Sequence, residues 1–588
     1  MMKRILALAL ACCFLMGCAA KEPIQEQLPV EPEQEQLPVQ PEPETKPLEV
    51  PVSREILYES RFDTVTEVKL SDEGISVDGA GETDTVYSSH DIIYYENKDA
   101  YESGNPYGEG ESWEQHSAEE ADAHTVVNIT APGAYRISGK LSAGQIRIDL
   151  GEAAYEDENA VVELILSDAD ITCTVAPAIL FRHTYECDGD WSAGTVNAQV
   201  DTDKAGANLI LEGHNTVTGS HVAKIFKDKE GEKKLWKQDG AIYSYMSMNV
   251  FGPGKLDLTA DNEGLDTELH LTINGGELAI RADNDGINTN EDGVSVTTIN
   301  GGSIHIMAGL GAEGDGIDSN GWLVINGGTV VSAANPGADA GLDSDLGSYI
   351  NGGTVIALGS TMDWAESDSD QVTMNLQFAK NQSSDAAVVV TRQDGTVIFA
   401  YDPSSDEVLA ENSRVYSGAV ISCPNFHTGE TYHVYVDGEV SGSDLGGVYD
   451  PTTVTGYTGG TQMAYTGTDV MGRPGGMGFP GGQMPEGMEP PEDFAPGQMP
   501  EGMEPPEGFE PGQMPQDLEK GQRPQLPGDM PDAAPPEGFR DGEKPEGMEP
   551  PRGMEFPGGA TQNGQTGEPA AEFYMQDNVN FFSGLTNA

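Results

Sequence analysis

Four copies of the phrase Ile-Asn-Gly-Gly begin at Ile273, Ile299, Ile325 and Ile350, with Asn-to-Asn spacings of 26, 26 and 25 residues. Each is followed by a short strand-like run: Glu277-Leu278-Ala279-Ile280, Ser303-Ile304-His305-Ile306, Thr329-Val330-Val331-Ser332 and Thr354-Val355-Ile356-Ala357. Alternation with period two is a strand signature, and Asn-Gly admits the positive φ of a tight corner. A second phrase lies between the corners: Glu263-Gly264-Leu265-Asp266, Asp285-Gly286-Ile287-Asn288, Asp315-Gly316-Ile317-Asp318 and Ala340-Gly341-Leu342-Asp343. From its first residue to the next corner Asn is 11, 15, 11 and 11 residues, the long one carrying an insertion around Asn290 to Gly293. A hairpin meander accommodates several short strands and corners per repeat poorly. A coil of about 25 residues with three strands, stacked on its neighbours at ~4.8 Å, accommodates them well. The expected fold is all-β: a right-handed parallel β-helix over 126–370, then a β-rich C-terminal cap over 371–445. A β-sandwich array is the alternative.

Stacking has an electrostatic consequence. Asp266, Asn288, Asp318 and Asp343 would form one column, and Glu263, Asp285 and Asp315 another. Carboxylates ~4.8 Å apart repel by ~3–4 kcal/mol at an effective dielectric near 20. Residues 251–370 hold 20 Asp and Glu but only Lys255 and Arg281 as cations. A bound hard cation offsets such a column, and oxygen-rich loops suit Ca²⁺. The candidate ligands are Asp261, Glu263, Asp266, Asp283, Asp285, Asn288, Asp315, Asp318 and Asp343; a solvated acidic edge is the alternative. Over the whole chain 98 Asp and Glu face 30 Lys and Arg, a net charge of −68. That balance excludes nucleic-acid binding through a basic surface and charge-driven adsorption to anionic lipid.

The ends read differently. Lys3 and Arg4 precede an apolar run from Ile5 to Leu15, and Leu15-Met16-Gly17-Cys18 follows. This is an export signal too short to span a bilayer, and its end resembles a bacterial lipoprotein signal over 1–18, with Cys18 lipidated. The expected place is the outer face of the cell membrane. Residues 19–52 form a Pro/Glu-rich linker, 53–125 a β or irregular region, and 446–570 a Gly/Pro/Met-rich disordered tail. The last segment, 571–588, is aromatic again and suited to dock back onto the folded part. Of the cysteines beyond the signal, Cys173 and Cys187 are the closest pair; export permits either a disulfide or free thiols there.

With these features in hand, the chain resembles a bacterial carbohydrate-binding-domain family whose clostridial founder is a calcium-bound right-handed β-helix. The matching phrases are Ala131 to Gly139 (Ala-Pro-Gly-Ala-Tyr-Arg-Ile-Ser-Gly), Asp170 to Ile179, Asp239 to Ser244, the Gly-Ile-Asp and Asn-Gly-Gly coils, and Val420 to Pro424 through Gly429 to Tyr432. The resemblance covers about 125–440. It implies Ca²⁺ as cofactor and a polysaccharide partner, cellulose or acidic sugars such as polygalacturonate, bound by a monomeric surface lipoprotein. Ala340 departs from the acidic pattern, which weakens a cation site at that coil.

Aromatic platforms for sugar stacking would come from Tyr243, Tyr245, Trp322, Tyr349 or Trp364, against a packing role for each. A polysaccharide lyase is a competing reading, in which Ca²⁺ neutralises a uronate and Arg281 or Lys255, or failing these His270 or His305, removes a proton. The scarcity of such bases argues for binding rather than catalysis. An adhesin or stalk with a protein partner is the third reading.

Overall fold

The computed structural model describes residues 48–49, 56–96, 114–188, 197–226, 234–360, 363–410, 414–468 and 569–588. The expectations for the signal, Cys18, nearly all of the 19–52 linker and most of the tail lie outside the described residues. What is described is all-β. Its helical pieces are single turns, such as Ala118–Asp122, where the Ser117 hydroxyl accepts from the Glu120 N–H at 3.2 Å. Most strands belong to one large mixed sheet of 26, a second sheet has nine, and none closes on itself.

The repeats organise these sheets. Each contributes one strand to each of three parallel columns. In the first column, Ala207–Glu212, Met248–Phe251, Leu271–Ile273, Val296–Ile299, Trp322–Ile325 and Gly347–Ile350 pair in succession. In the second, His214–Gly219, Lys255–Ala260, Glu277–Ala282, Ser303–Met307, Thr329–Ala333 and Thr354–Gly359 do the same. In the third, the chain Ile179–His183, Gly240–Ser244, Glu263–Thr267, Ile287–Thr289, Ile317–Ser319 and Leu342–Ser344 is likewise parallel.

Alternation decides what lies inside. Leu278, Ile304, Val330 and Val355 occupy one register line of the second column and are fully buried. Leu265, Ile287, Ile317 and Leu342 do the same in the third. Burying each such side chain contributes ~1.5–3 kcal/mol, and together they form one continuous core.

The corners hold a second device. Positive φ falls on the second glycine of each Asn-Gly-Gly, at Gly276, Gly302, Gly328 and Gly353, not on the Asn. The Asn side chains form a ladder instead. Asn300 Nδ2 donates to Asn274 Oδ1 at 2.9 Å, Asn326 to Asn300 at 2.9 Å, and Asn351 to Asn326 at 3.0 Å. Asn300 and Asn326 both donate and accept along the stack, so their amides are satisfied by their equivalents.

Flanking segments extend and cover the columns. Val65–Leu70 pairs in parallel with Gly133–Leu141, and Val86–Ser89 antiparallel with Thr125–Ile129, so the 53–125 region adds strands at the N-terminal end. At the other end Thr354–Gly359 pairs antiparallel with Tyr416–Ser422, which pairs with Thr373–Gln382. The C-terminal Val579–Asn587 lies parallel to Thr373–Gln382, with Phe573 and Phe582 buried against Tyr465. This C-terminal lobe packs on the outward face of the second column, where Met307, Val331, Ile356 and Leu358 meet Met374, Leu376 and Ile421. Its strands continue through Val448–Tyr449, Gly456–Thr458 and Thr461–Ala464. The sequence reading opens the tail at 446; these residues are strand instead, because Thr and Tyr there complete sheet edges that Pro and Gly cannot.

A Cβ on Gly328, at φ +84°, would lie 2.8 Å from the Gly302 carbonyl oxygen, whereas Gly395, at φ +87°, has open space around it. Gly395→Ala is expected to cost about 1–2 kcal/mol of backbone strain, and Gly328→Ala at least twice that. Equilibrium denaturation of both variants measures the difference; equal losses would contradict the close stacking at the corner.

Candidate functional site

The outward face of the first column is covered at its early rungs. Tyr58 stacks on Phe251 at 4.6 Å, and the Ile56 N–H donates to the Asn274 carbonyl. Further along, the same face carries half-buried aromatic rings. Trp322 pairs in register with Gly347, and the Ser348–Ala365 bridge places Trp364 on the next rung of the same line. Two rungs put the indoles on the order of 10 Å apart. A Cβ on Gly347 would lie 3.0 Å from the Trp322 ring and 2.5 Å from Glu366 Oε1, so a side chain there would displace the indole. Tyr349 lies beside Trp322, centroids 5.6 Å apart and planes at 34°; Phe581 meets Trp364 edge-on at 5.2 Å and 85°. Burial, then the charges of Asp368 and Glu366, raise the Tyr349 phenol above its ordinary value and keep it a neutral donor. The result is a row of two aromatic pairs flanked by carboxylates.

The third column stacks its acids as the repeats require. Asp266, Asn288, Asp318 and Asp343 are direct partners on successive rungs. The second line is tied to the backbone: the Asp315 N–H donates to Asp285 Oδ1 at 2.7 Å, and the Ala340 N–H to Asp315 Oδ1 at 2.5 Å. The Asn290 insertion folds over the column, its amide donating to Asp266 and accepting from Asn288 Nδ2 at 3.3 Å. Asn288 Oδ1 is buried with no hydrogen-bond partner. Burial pushes Asp315 up to about 7, reinforced by Asp343, Asp339 and Asp363 against the Ala340 hydrogen bond. Burial, then Asp285, Asp343, Asp315 and Glu263, drives Asp318 well above the usual carboxylate range. Burial and Asp261 raise Asp283, with Arg414 opposing them. Among the described residues no group of three His, Cys, Asp or Glu side chains is arranged to hold a metal.

A family model described as carbohydrate-binding domain-containing protein matches residues 123–423, just over half of the chain. The chain belongs to that family. No curated protein and no solved structure gives a significant match.

The matched span of this carbohydrate-binding-domain protein contains all three columns and, of the aromatic row, Trp322, Tyr349 and Trp364; Phe581 lies outside it. The expected platforms divide sharply. Tyr243 and Tyr245 are buried, with Tyr243 Oη donating to Glu268 and Tyr245 Oη accepting from Gln238 Nε2 at 2.9 Å, so they are packing residues rather than platforms. Trp322, Tyr349 and Trp364 come together. Phe581, Glu366 and Asp368 were not legible as site residues; the one sequence signal was the aromatic return after residue 570.

The residues considered as lyase bases have other employment. Lys255 Nζ sits 3.5 Å from both Asp257 Oδ1 and Glu277 Oε1 and also binds Glu407. Burial lowers its pKa, but the Glu407 hydrogen bond and the charges of Asp257, Glu407 and Glu277 outweigh this and keep it an ammonium. Arg281 donates to the Glu407 carbonyl at 2.8 Å. Both tie the C-terminal lobe to the second column. His270 Nε2 meets Asp188 Oδ2 at 3.0 Å, and its Nδ1 accepts from the Val296 N–H at 3.1 Å. Cys173, Cys187 and Cys423 are free thiols. The disulfide left open between Cys173 and Cys187 does not form, because Cys173 points into the core cluster while Cys187 stands beside Glu186 and Ser247.

A carboxyl whose pKa is higher folded than unfolded binds its proton more tightly in the folded state. Its contribution is full below about pH 4 and lost as pH rises through about 7. In chelator, stability is expected to fall between these limits, by up to on the order of 4 kcal/mol for Asp315 alone. Asp315→Asn keeps the acceptor for Ala340 and removes the charge, so its melting temperature should be flatter over the same range. A variant whose slope equals that of the parent would refute the assignment.

Proposed function

We propose that this protein binds polysaccharide through the row Trp322, Tyr349, Trp364 and Phe581. The observation that carries the reading is the register of Trp322 and Trp364 on one outward line two rungs apart. Indole faces take the C–H faces of pyranose rings, and a separation near 10 Å is on the scale of a disaccharide. Glu366 and Asp368 stand at the rim as acceptors for sugar hydroxyls. An acidic rim repels polyuronate, so a neutral glucan of the cellulose type fits the row better; an acidic sugar would need a cation between the two. We read the three columns as the faces of a right-handed parallel β-helix, supported by the cyclic strand order and the 25- to 26-residue repeat. The N-terminal signal supports export and anchoring through Cys18. No helix among the described residues is long and apolar enough to cross a membrane.

Calcium belongs to the same proposal. Asp266, Asn288 and Asp318 offer hard oxygen donors on successive rungs, and the unpartnered Asn288 carbonyl is the atom that a cation would satisfy. Glu263, Asp285, Asp315 and Asp343 would supply the surrounding charge, with Asp261 and Asp283 at the edge. A bound Ca²⁺ would neutralise the column and hold its rungs together.

A glycan array probed with the full chain in Ca²⁺ and in chelator tests both claims. Binding to β-linked glucans is expected, with a loss of about tenfold or more, ~1.4 kcal/mol, in Trp322→Ala and in Trp364→Ala. Unchanged binding in both variants would refute the aromatic row. A melting temperature unmoved by chelator would refute the cation.

A further inference from the structure

Ser303 and His305 are two residues apart on the strand Ser303–Met307 and so project from one face, the outward face of the second column. The C-terminal lobe covers that face and brings Asp406 to it from 101 residues away. His305 Nδ1 lies 2.7 Å from Asp406 Oδ2, and His305 Nε2 lies 3.0 Å from Ser303 Oγ. The other partners of Asp406 fix the protons. Its Oδ1 accepts from the Val408 N–H at 2.8 Å and the Leu409 N–H at 3.3 Å, and its Oδ2 from Tyr401 Oη at 3.2 Å. The other partners of this carboxyl are all donors to it, so His305 Nδ1 is assigned as a further donor, its hydrogen toward Asp406. His305 Nε2 is then the acceptor, and the Ser303 hydroxyl donates to it. Gly446, at φ +56°, closes over the imidazole, where a Cβ would lie 2.4 Å from Cε1. These groups open onto a cavity of ≈ 220 Å³ whose wall also includes Glu277, Ala279, Ser405, Val408 and Leu445.

We propose that Ser303, His305 and Asp406 are a nucleophile, base and orienting acid that hydrolyse short acyl esters, of the kind carried on polysaccharide hydroxyls. The tautomer, the order of contacts and the buried acid match what nucleophilic acyl transfer needs. A network serving only to fasten the lobe would need neither the cavity nor a basic nitrogen aimed at a hydroxyl beside it. Ser303 Oγ attacks the ester carbonyl carbon while its proton passes to His305 Nε2. The carbonyl–alkoxy bond then breaks, and the departing sugar oxygen takes that proton. Water next attacks the acyl-serine, giving a proton to His305, which returns it to Ser303 as the carboxylic acid leaves. The near-complete burial of Ser303 favours a small acyl group such as acetyl. Glu277 and Glu407 line the mouth, where they would accept sugar hydroxyls, their charge balanced by Lys255. The site faces away from the aromatic row, on a different column.

The test uses the full chain with a fluorophosphonate probe, followed by peptide mapping, and with p-nitrophenyl acetate and octanoate. Small esters need no polysaccharide, so the outcome is independent of glycan binding. Covalent label on Ser303 is expected, with acetate hydrolysed faster than octanoate. The rate should fall at least 100-fold in Ser303→Ala and His305→Gln. Melting curves verify that the variants fold, and labelling of the unmodified protein stands even where they do not. An unlabelled Ser303 in the unmodified protein, or hydrolysis undiminished in folded Ser303→Ala, would overturn the proposal.

Discussion

Parallel pairing in exact register is the constraint on which the rest of this molecule depends. It sets each side chain on its equivalent from the neighbouring repeat, about 4.8 Å away. Whatever residue occupies a position is therefore multiplied along the stack. Leu278, Ile304, Val330 and Val355 turn this into a continuous core, and Asn274, Asn300, Asn326 and Asn351 into a hydrogen-bonded ladder. Asp318 and Asp343 turn it into a crowding of buried carboxyls: burial first, then Asp285 and Asp343, drives the Asp318 pKa up. One geometric rule thus produces both the stability of the fold and its main electrostatic strain.

Periodicity was what the sequence could reveal, because a repeat constrained by stacking shows itself as a spacing. Asp266, Asn288, Asp318 and Asp343 align as their spacing requires, even across the Asn290 insertion. The aromatic row has no such spacing. Trp322, Tyr349 and Trp364 are 27 and 15 residues apart, and only the small Gly347 between two rungs and the Ser348–Ala365 bridge bring them together. Tyr243 shows the converse. Its strand position points outward, yet Tyr155, Tyr245 and Met246 cover it, so facing away from the core does not mean reaching solvent. Asp406 was least legible of all, since its partner His305 lies in another lobe and no local motif joins them.

Covering layers decide which outward faces remain available. The second column loses most of its face to the C-terminal lobe, through Met307, Val331, Ile356 and Leu358. The first loses its early rungs to Tyr58 and Phe62. What is left on the first column is the stretch bearing Trp322, Tyr349 and Trp364, and there the C-terminal strand contributes Phe581 rather than a lid. Half-buried aromatic rings leave part of their apolar surface in water, at a cost of about 25 cal/mol for each Å² left uncovered. Among the described residues, the gathering of these half-buried rings on a stretch that Tyr58 and Phe62 do not cover is the physical argument for a ligand.

The acidic column admits the same kind of reasoning. The Asn ladder shows that this architecture has a neutral solution for stacked polar positions, satisfied without charge. Replacing Asp318 and Asp343 by Asn would keep acceptors, add donors and remove the charge that burial, then Asp285 and Asp343, disfavour at Asp318. Carboxylates therefore lower the stability of the isolated fold relative to an available alternative. A charge retained at such a cost is explained when something outside the chain interacts with it. At low pH protons do so, and burial pushes Asp315 up to about 7, into their range. Above that pH the cation proposed above would do so, with the buried, unpartnered carbonyl of Asn288 among its donors. The cation proposed above would account for the acidic bias of the repeats and would make the two acidic lines parts of one site.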